Sequence, residues 1–300
     1  MAPRPTDRPQ LRELLVDHQR AFNPAAHIGR DPVQFPHRYT APEDIEASAF
    51  LAASLAFGRV SAFAPIIDDL LRALGPQLAT ALREGVASPG GRQHVAKAVT
   101  RGYRWLQPEE LRAMLFAVGE VLHVHGSIEQ AFRAGQRQGA SDTWQALGYL
   151  LETLRGHARQ HHPRPIERAR ALAFLFPSAS GTAPCKRQHL FLRWMVRPPK
   201  EGVDFGLWTS VHTRSLVIPC DVHIARIAHA LGLASKNSAS RRVADEITSA
   251  LREVAPEDPV QFDFALAHLG ISGGCRGRRV ESVCHDCGLR EACRWWGDRG

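Results

Sequence analysis

The residues best suited to chemistry gather near the end of the chain. Cys275, Cys284, Cys287 and Cys293 fall in the stretch CRGRRVESVCHDCGLREAC, with the spacing C-x8-C-x2-C-x5-C. A C-x2-C pair lets two thiolates reach one centre from a tight turn, and the outer two close a tetrahedron. Zinc takes four thiolates in that way, and a [4Fe–4S] cube takes one per iron. Zinc ribbons usually carry two C-x2-C knuckles. A single knuckle with uneven intervals in a helical chain favours the cube, with zinc as the alternative. The other two cysteines, Cys185 and Cys220, are scattered. Lysine is the second informative type. Of the 38 basic residues only Lys97, Lys186, Lys200 and Lys236 are lysines. Arginine serves a plain phosphate contact better, so each lysine is a candidate for chemistry that needs an amine. Lys186 follows PSASGTAP (177–184), a stretch of small residues between prolines, and opens a helical run.

The elements that must position these groups read as helices nearly throughout. EDIEASAFLAASLAF (43–57), APIIDDLLRAL (64–74) and PEELRAMLFAVGEVLHVHG (108–126) have apolar residues at helical spacing. SIEQAFRAG (127–135) and SDTWQALGYLLETLRGHARQ (141–160) follow, with Ser127 and Ser141 as expected caps. After HHPRP (161–165), whose two histidines read as solvated loop residues, IERARALAFLF is again helical. CKRQHLFLRWMV comes next, then the loop RPPKEGVD (197–204). DVHIARIAHALGL (221–233) has Asp221 in the N-cap position; SASRRVADEITSALREV (238–254) and DPVQFDFALAHLG (258–270) complete the set. No stretch alternates with period two and no internal repeat is found, so the class is all-α.

Composition sets bounds. The chain has 300 residues, enough for one large domain or two lobes. Its formal charge is +8 and its pI about 9.6, a balance consistent with nucleic acid as partner. No run of about eighteen apolar residues argues for a membrane span. The opening MAPRPTDRPQ lacks the apolar core of a signal peptide, so a cytoplasmic protein is expected.

The cysteine pattern resembles the C-terminal cluster loop of endonuclease III and its adenine-removing relative, which has the spacing C-x6-C-x2-C-x5-C. The last two intervals agree and the first is two residues longer here. Upstream, IPCDVHIARIAHALGL (218–233) resembles the V-D-T-H segment of helix-hairpin-helix DNA glycosylases, and DPVQFDFALAHLGISGGC resembles the helix that leads into their cluster. EASAFLAASLAFGRV, GYRW, HGSIEQAF, CKRQHLFLRWMVR and GVDFGLW together resemble a bacterial family of unknown function placed in that superfamily, over roughly residues 10–295.

This resemblance implies a two-lobed helix-hairpin-helix glycosylase-like fold with a C-terminal cluster loop. Residues 46–196 would form a helical barrel with the hairpin; 197–300, with the N-terminal 1–45, would form the lobe that carries the cluster. The cleft between them would be the active site, and the cluster would be structural or redox-active. The implied activity is removal of a damaged base from duplex DNA by a monomer, with abasic-site cleavage if lysine is the nucleophile. Asp221 matches the catalytic Asp. It would stabilise positive charge on the sugar or accept a proton, and the same residue would serve equally as a plain helix cap. The nucleophile is water or Lys186, whose amine would form a Schiff base. The family's hairpin reads L-P-G-V-G, a residue, then Lys; here it is F-P-S-A-S-G-T-A-P-C-K. The amides of Ser180, Gly181 and Thr182 would face one phosphate, aided by Arg187, Arg193 and His223. The region AFGRVSAF, around Arg59, matches the part that enters the duplex. Trp194 and Trp208 are either stacking residues or core. Two rival readings remain: a non-catalytic damage-sensing protein, and a zinc-stabilised interaction domain.

Overall fold

The computed structural model describes residues 8–162 and 170–297. The described residues are helical, with no β-strand among them, so the chain is all-α. Two compact units divide it: one runs up to His27 and resumes at Thr182, and the other is Ile28–Gly181. This division differs from the expected one. Residues 28–45 join the second unit, and the helix that opens at Lys186 belongs with the cysteine-bearing segment rather than with the helices before it.

The described residues open with α1 (Arg8–Ala21), which buries Leu11 and Leu15, and the short α2 (Ala25–Ile28). The second unit then builds α3 (Pro42–Leu55), α4 (Val60–Leu74), α5 (Leu78–Ala87), α6 (Pro89–Ala98), α7 (Pro108–His125), α8 (Ile128–Arg137), α9 (Thr143–His161) and α10 (Arg170–Leu175). Helix α3 is buried on all sides from Asp44 to Leu55, so it forms the centre of this unit. Its acids do more than mark a helix start. Asp44 Oδ1 accepts the Ala79 amide at the head of α5 (2.8 Å). Glu46 accepts the Ile128 and Glu129 amides at the head of α8 (both 2.9 Å). Two buried carboxylates thus satisfy the orphan amides of two neighbouring helices. Helix α3 packs on α4 and α5, and α5, α7 and α9 pack in succession, with α6 against α5 and α8 against α9.

Sequence and structure part company at several helix ends. Helices α5 and α6 lie in QLATALREGVASPGGRQHVAKAV, a stretch to which the sequence reading assigned no element; Ser88 is the N-cap and Pro89 the first residue of α6. The cap of α9 is Asp142, one residue beyond Ser141, and accepts the Gln145 amide at 2.8 Å. His161 is not solvated: its side chain is buried and its Nε2 lies 2.9 Å from Glu120. Residues 163–169, the end of HHPRP and the start of IERARALAFLF, lie outside the described residues.

The first unit resumes with α11 (Lys186–Val196), α12 (Val222–Ala230), α13 (Arg241–Val254), α14 (Asp263–Ile271), α15 (Glu281–Cys284) and α16 (Arg294–Gly297). Here α12 packs on α13 and α14, and α1 lies against α13. From Gln188 onward α11 is buried at every position. Trp194 and Trp208 are 0% and 2% exposed, which settles both as core. No described helix is long and apolar enough to cross a membrane.

Candidate functional site

Lys186 and Asp221 stand at the heads of two helices of the same unit, and their side chains meet. Lys186 Nζ lies 3.5 Å from Asp221 Oδ2, with both side chains partly open to solvent. Local geometry explains each position. Asp221 is the N-cap of α12, and its Oδ1 accepts the amides of His223 (2.9 Å) and Ile224 (3.0 Å). The capping role and the role facing the amine therefore fall on different oxygens of one carboxylate. Lys186 is the first residue of α11. Cys185 before it adopts the left-handed conformation (φ 45°, ψ 40°), one that residues with a Cβ rarely enter. That turn redirects the chain from the 177–184 stretch into the helix. The Cys185 thiol is buried, which pushes its pKa up to about 11, so it is an inert packing group.

A second carboxylate stands beside the pair, and the sequence reading missed it. Asp263, the first residue of α14, is buried and accepts a hydrogen bond from Arg193 Nη1 at 2.9 Å. Burial pushes its pKa up to about 6. Arg193 and Lys186 oppose that shift, and Asp221 adds to it, so Asp263 senses both members of the pair. Only its setting in QFDF marks it in the sequence. Arg193 is corrected at the same time. It is buried, pairs with Asp204 (3.2 Å) as well as Asp263, and offers no guanidinium to a phosphate. Arg197 continues this buried chain of alternating charges, joining Asp204 to Asp258.

The expected phosphate cradle is partly engaged internally. The Gly181 amide donates to Ser178 O (3.2 Å), and the Ser178 and Ser180 hydroxyls bond each other (2.9 Å). Gly181 therefore drops out of the trio of amides expected there. Ser180 and Thr182 remain exposed. Thr182 O accepts the Arg241 amide (2.9 Å), which brings a second helix head and a second arginine to this segment. Arg241 was not singled out in the sequence. It also helps lower the pKa of buried His189 to about 3, a shift that burial dominates. Arg187 is half-buried, and burial lowers its pKa to about 10. The His223 ring lies against α14, where a Cβ at Gly270 would come 3.1 Å from its Nδ1.

The four clustered cysteines are free and half-buried. Burial raises the pKa of Cys287 and Cys293. Cys275 and Cys284 push the Cys287 thiol further up, and those two with Cys287 do the same to Cys293. The four thiols thus lie within electrostatic reach of one another. Among the described residues, no three or more His, Cys, Asp or Glu side chains converge closely enough to hold a single ion. The loop is tied to its surroundings at both ends. The Cys275 amide donates to Leu269 O of α14 (3.1 Å). Arg294 donates to His229 Nε2 of α12 (3.0 Å), while His229 Nδ1 faces Ala234 O (3.1 Å). Between these ties, Gly277 (φ 63°) lies so close to α12 that a Cβ would come within 2.7 Å of the Arg226 Cβ. The cysteine loop is therefore moulded onto the helix that carries Asp221 at its head.

One family model matches, described as a protein of unknown function (DUF2400), over residues 31–272. No curated protein and no solved structure matches the chain. The expected membership of the helix-hairpin-helix glycosylase superfamily is corrected accordingly, because the match carries the family of unknown function and nothing wider. The matched span also ends before Cys275, so it leaves the cysteine loop out.

Proposed function

The chain belongs to this family of unknown function, and we propose that it is a DNA glycosylase that uses Lys186 and Asp221 to remove a damaged base from duplex DNA. The observation that carries this reading is the amine 3.5 Å from a carboxylate, both partly open to solvent at the heads of two helices. The amine nitrogen attacks sugar C1′. The bond from C1′ to the base breaks, its electron pair leaves with the base, and the base takes up a proton. Asp221 accepts the proton of the attacking amine and offsets the positive charge that develops on the sugar. Opening of the sugar ring gives a Schiff base, which permits strand cleavage at the abasic site. Thr182, Arg187, His223 and Arg241, with the head of α11, supply the contacts to the DNA backbone. The net charge of +8 suits that partner.

Cys275, Cys284, Cys287 and Cys293 hold a [4Fe–4S] cluster in this proposal, and the bound cluster supplies a rigid thiolate framework for the loop against α12. A brown protein that absorbs near 400 nm supports the cluster; a colourless protein with bound zinc overturns it.

The enzymatic reading is tested with oligonucleotides bearing oxidised, alkylated and deaminated bases. Base release is expected from at least one, together with a covalent adduct on borohydride reduction. Lys186→Ala removes the adduct, and Asp221→Asn slows base release by about 10²–10⁴-fold, the usual span for loss of a general base. An adduct that survives Lys186→Ala excludes that lysine as nucleophile. Tight binding to damaged duplex without base release from any substrate favours the non-catalytic sensor instead.

A further inference from the structure

The second unit carries an exposed aromatic and basic surface that takes no part in the chemistry above. The segment Tyr103–Leu106 closes on itself through paired hydrogen bonds between the Tyr103 and Leu106 backbones (both 2.9 Å). This presents Arg104 and Trp105 at the tip of a turn. Arg104 is left-handed there (φ 54°), the only described residue besides Cys185 with a Cβ and a positive φ. Trp105 is 44% exposed. It is braced from behind by Phe174, edge-on at 4.6 Å, and by Phe57 at 5.8 Å. The Tyr103 hydroxyl donates to Phe57 O and so fixes the turn against the α3–α4 connection. In that connection Gly58 (φ 84°) lets the backbone pass beneath the Arg104 guanidinium, where a Cβ would meet Nη1 at 2.6 Å. The next residue, Arg59, is exposed.

A large indole held in place yet open to solvent, beside two exposed arginine residues, matches two needs of an unpaired nucleic-acid strand. Bases need a π face to stack on, and phosphates need positive charge. An apolar protein partner would leave the two arginines unmatched, and a base-free polyanion would leave the indole unmatched. We propose that Trp105, with Arg59 and Arg104, forms a stacking platform for a nucleobase of single-stranded DNA. It rests on the nucleic-acid partner proposed above but not on Lys186 or Asp221.

The test is equilibrium binding of full-length protein to a 12-mer of deoxythymidine and to a 12-unit propanediol-phosphate chain, which has the phosphates without the bases. Wild type is expected to prefer the oligonucleotide by about 5- to 150-fold, the range for stacking of one base. Trp105→Ala brings the ratio to about one, whereas Trp105→Phe keeps a preference. Arg104→Gly and Arg59→Ala leave a preference but each lowers the salt slope by about 0.7. Arg104→Gly also guards against misfolding as the explanation, because glycine takes the left-handed turn without strain. A wild-type ratio near one, or a ratio that Trp105→Ala leaves unchanged, overturns the platform. Borohydride trapping by a protein with no such preference would overturn the platform alone. Preference without trapping would overturn the Schiff-base step alone.

Discussion

Replacing Arg193 by methionine, which has a similar stem and no charge, tests the buried network that holds Asp263 beside Lys186 and Asp221. Arg193 is 1% exposed and bonds two carboxylates, Asp204 and Asp263, that are each 3% exposed. Asp204 keeps Arg197 after the substitution, but the guanidinium that Asp263 bonds is gone. Breaking a buried pair from one side costs about 3–5 kcal/mol, because the remaining charge is stranded away from water. At about 2–4 °C per kcal/mol for a domain of this size, the melting temperature should fall by about 6–20 °C. The defect should also depend on pH. The Asp263 carboxyl already titrates at about 6 in the folded protein, and without Arg193 it takes up a proton more readily still. Protonation removes the stranded charge, so part of the loss should be recovered as pH falls from 7 to 5. Thermal unfolding at both pH values, followed by circular dichroism, measures this. A melting temperature within about 2 °C of wild type at pH 7 would refute the network as a support of the site.

Glu46→Ala should cost about 2–3 kcal/mol, read by chemical denaturation, because two helix-head amides lose their buried acceptor. His189, buried and with its pKa near 3, should make the protein acid-labile. Its contribution is complete above about pH 6.5, where both folded and unfolded states are neutral, and is lost as pH falls towards 3, at up to about 1.4 kcal/mol per pH unit. His189→Leu should flatten that dependence, and an unchanged slope would show that other groups carry it. Gly277→Ala should distort the loop against α12 and lower the melting temperature, whereas the same change at exposed Gly139 meets no neighbouring atom and should cost no more than its backbone strain.

What could be read from the sequence was local. Ser127 and Asp221 act as caps because capping depends on a side chain and the next three amides, all visible in the string. The meeting of Lys186 with Asp221 was expected from the resemblance and not from any spacing, since their separation in the chain says nothing about distance in space. Arg193 shows the opposite failure. A positive charge in a basic chain reads as surface, and only the fold reveals the two acids that draw it inside. Asp263 was illegible for the same reason, because its shifted acidity comes from burial and from charges that reach it from α11 and from the head of α12. The left-handed turn at Cys185 gives no sign in composition, since glycine or asparagine would have been the expected residue there. The cysteine spacing pointed to a thiolate centre, but nothing in it foretold the seating of the loop on α12 through Gly277.

The divided carboxylate of Asp221 has a consequence for how the site comes into being. With one oxygen fastened to two amides, the group cannot turn about its own axis, and its other oxygen keeps a single heading. The first turn of α12 and the bearing of its acid are therefore laid down together. A chain that has wound this helix has already aimed that oxygen at the lysine.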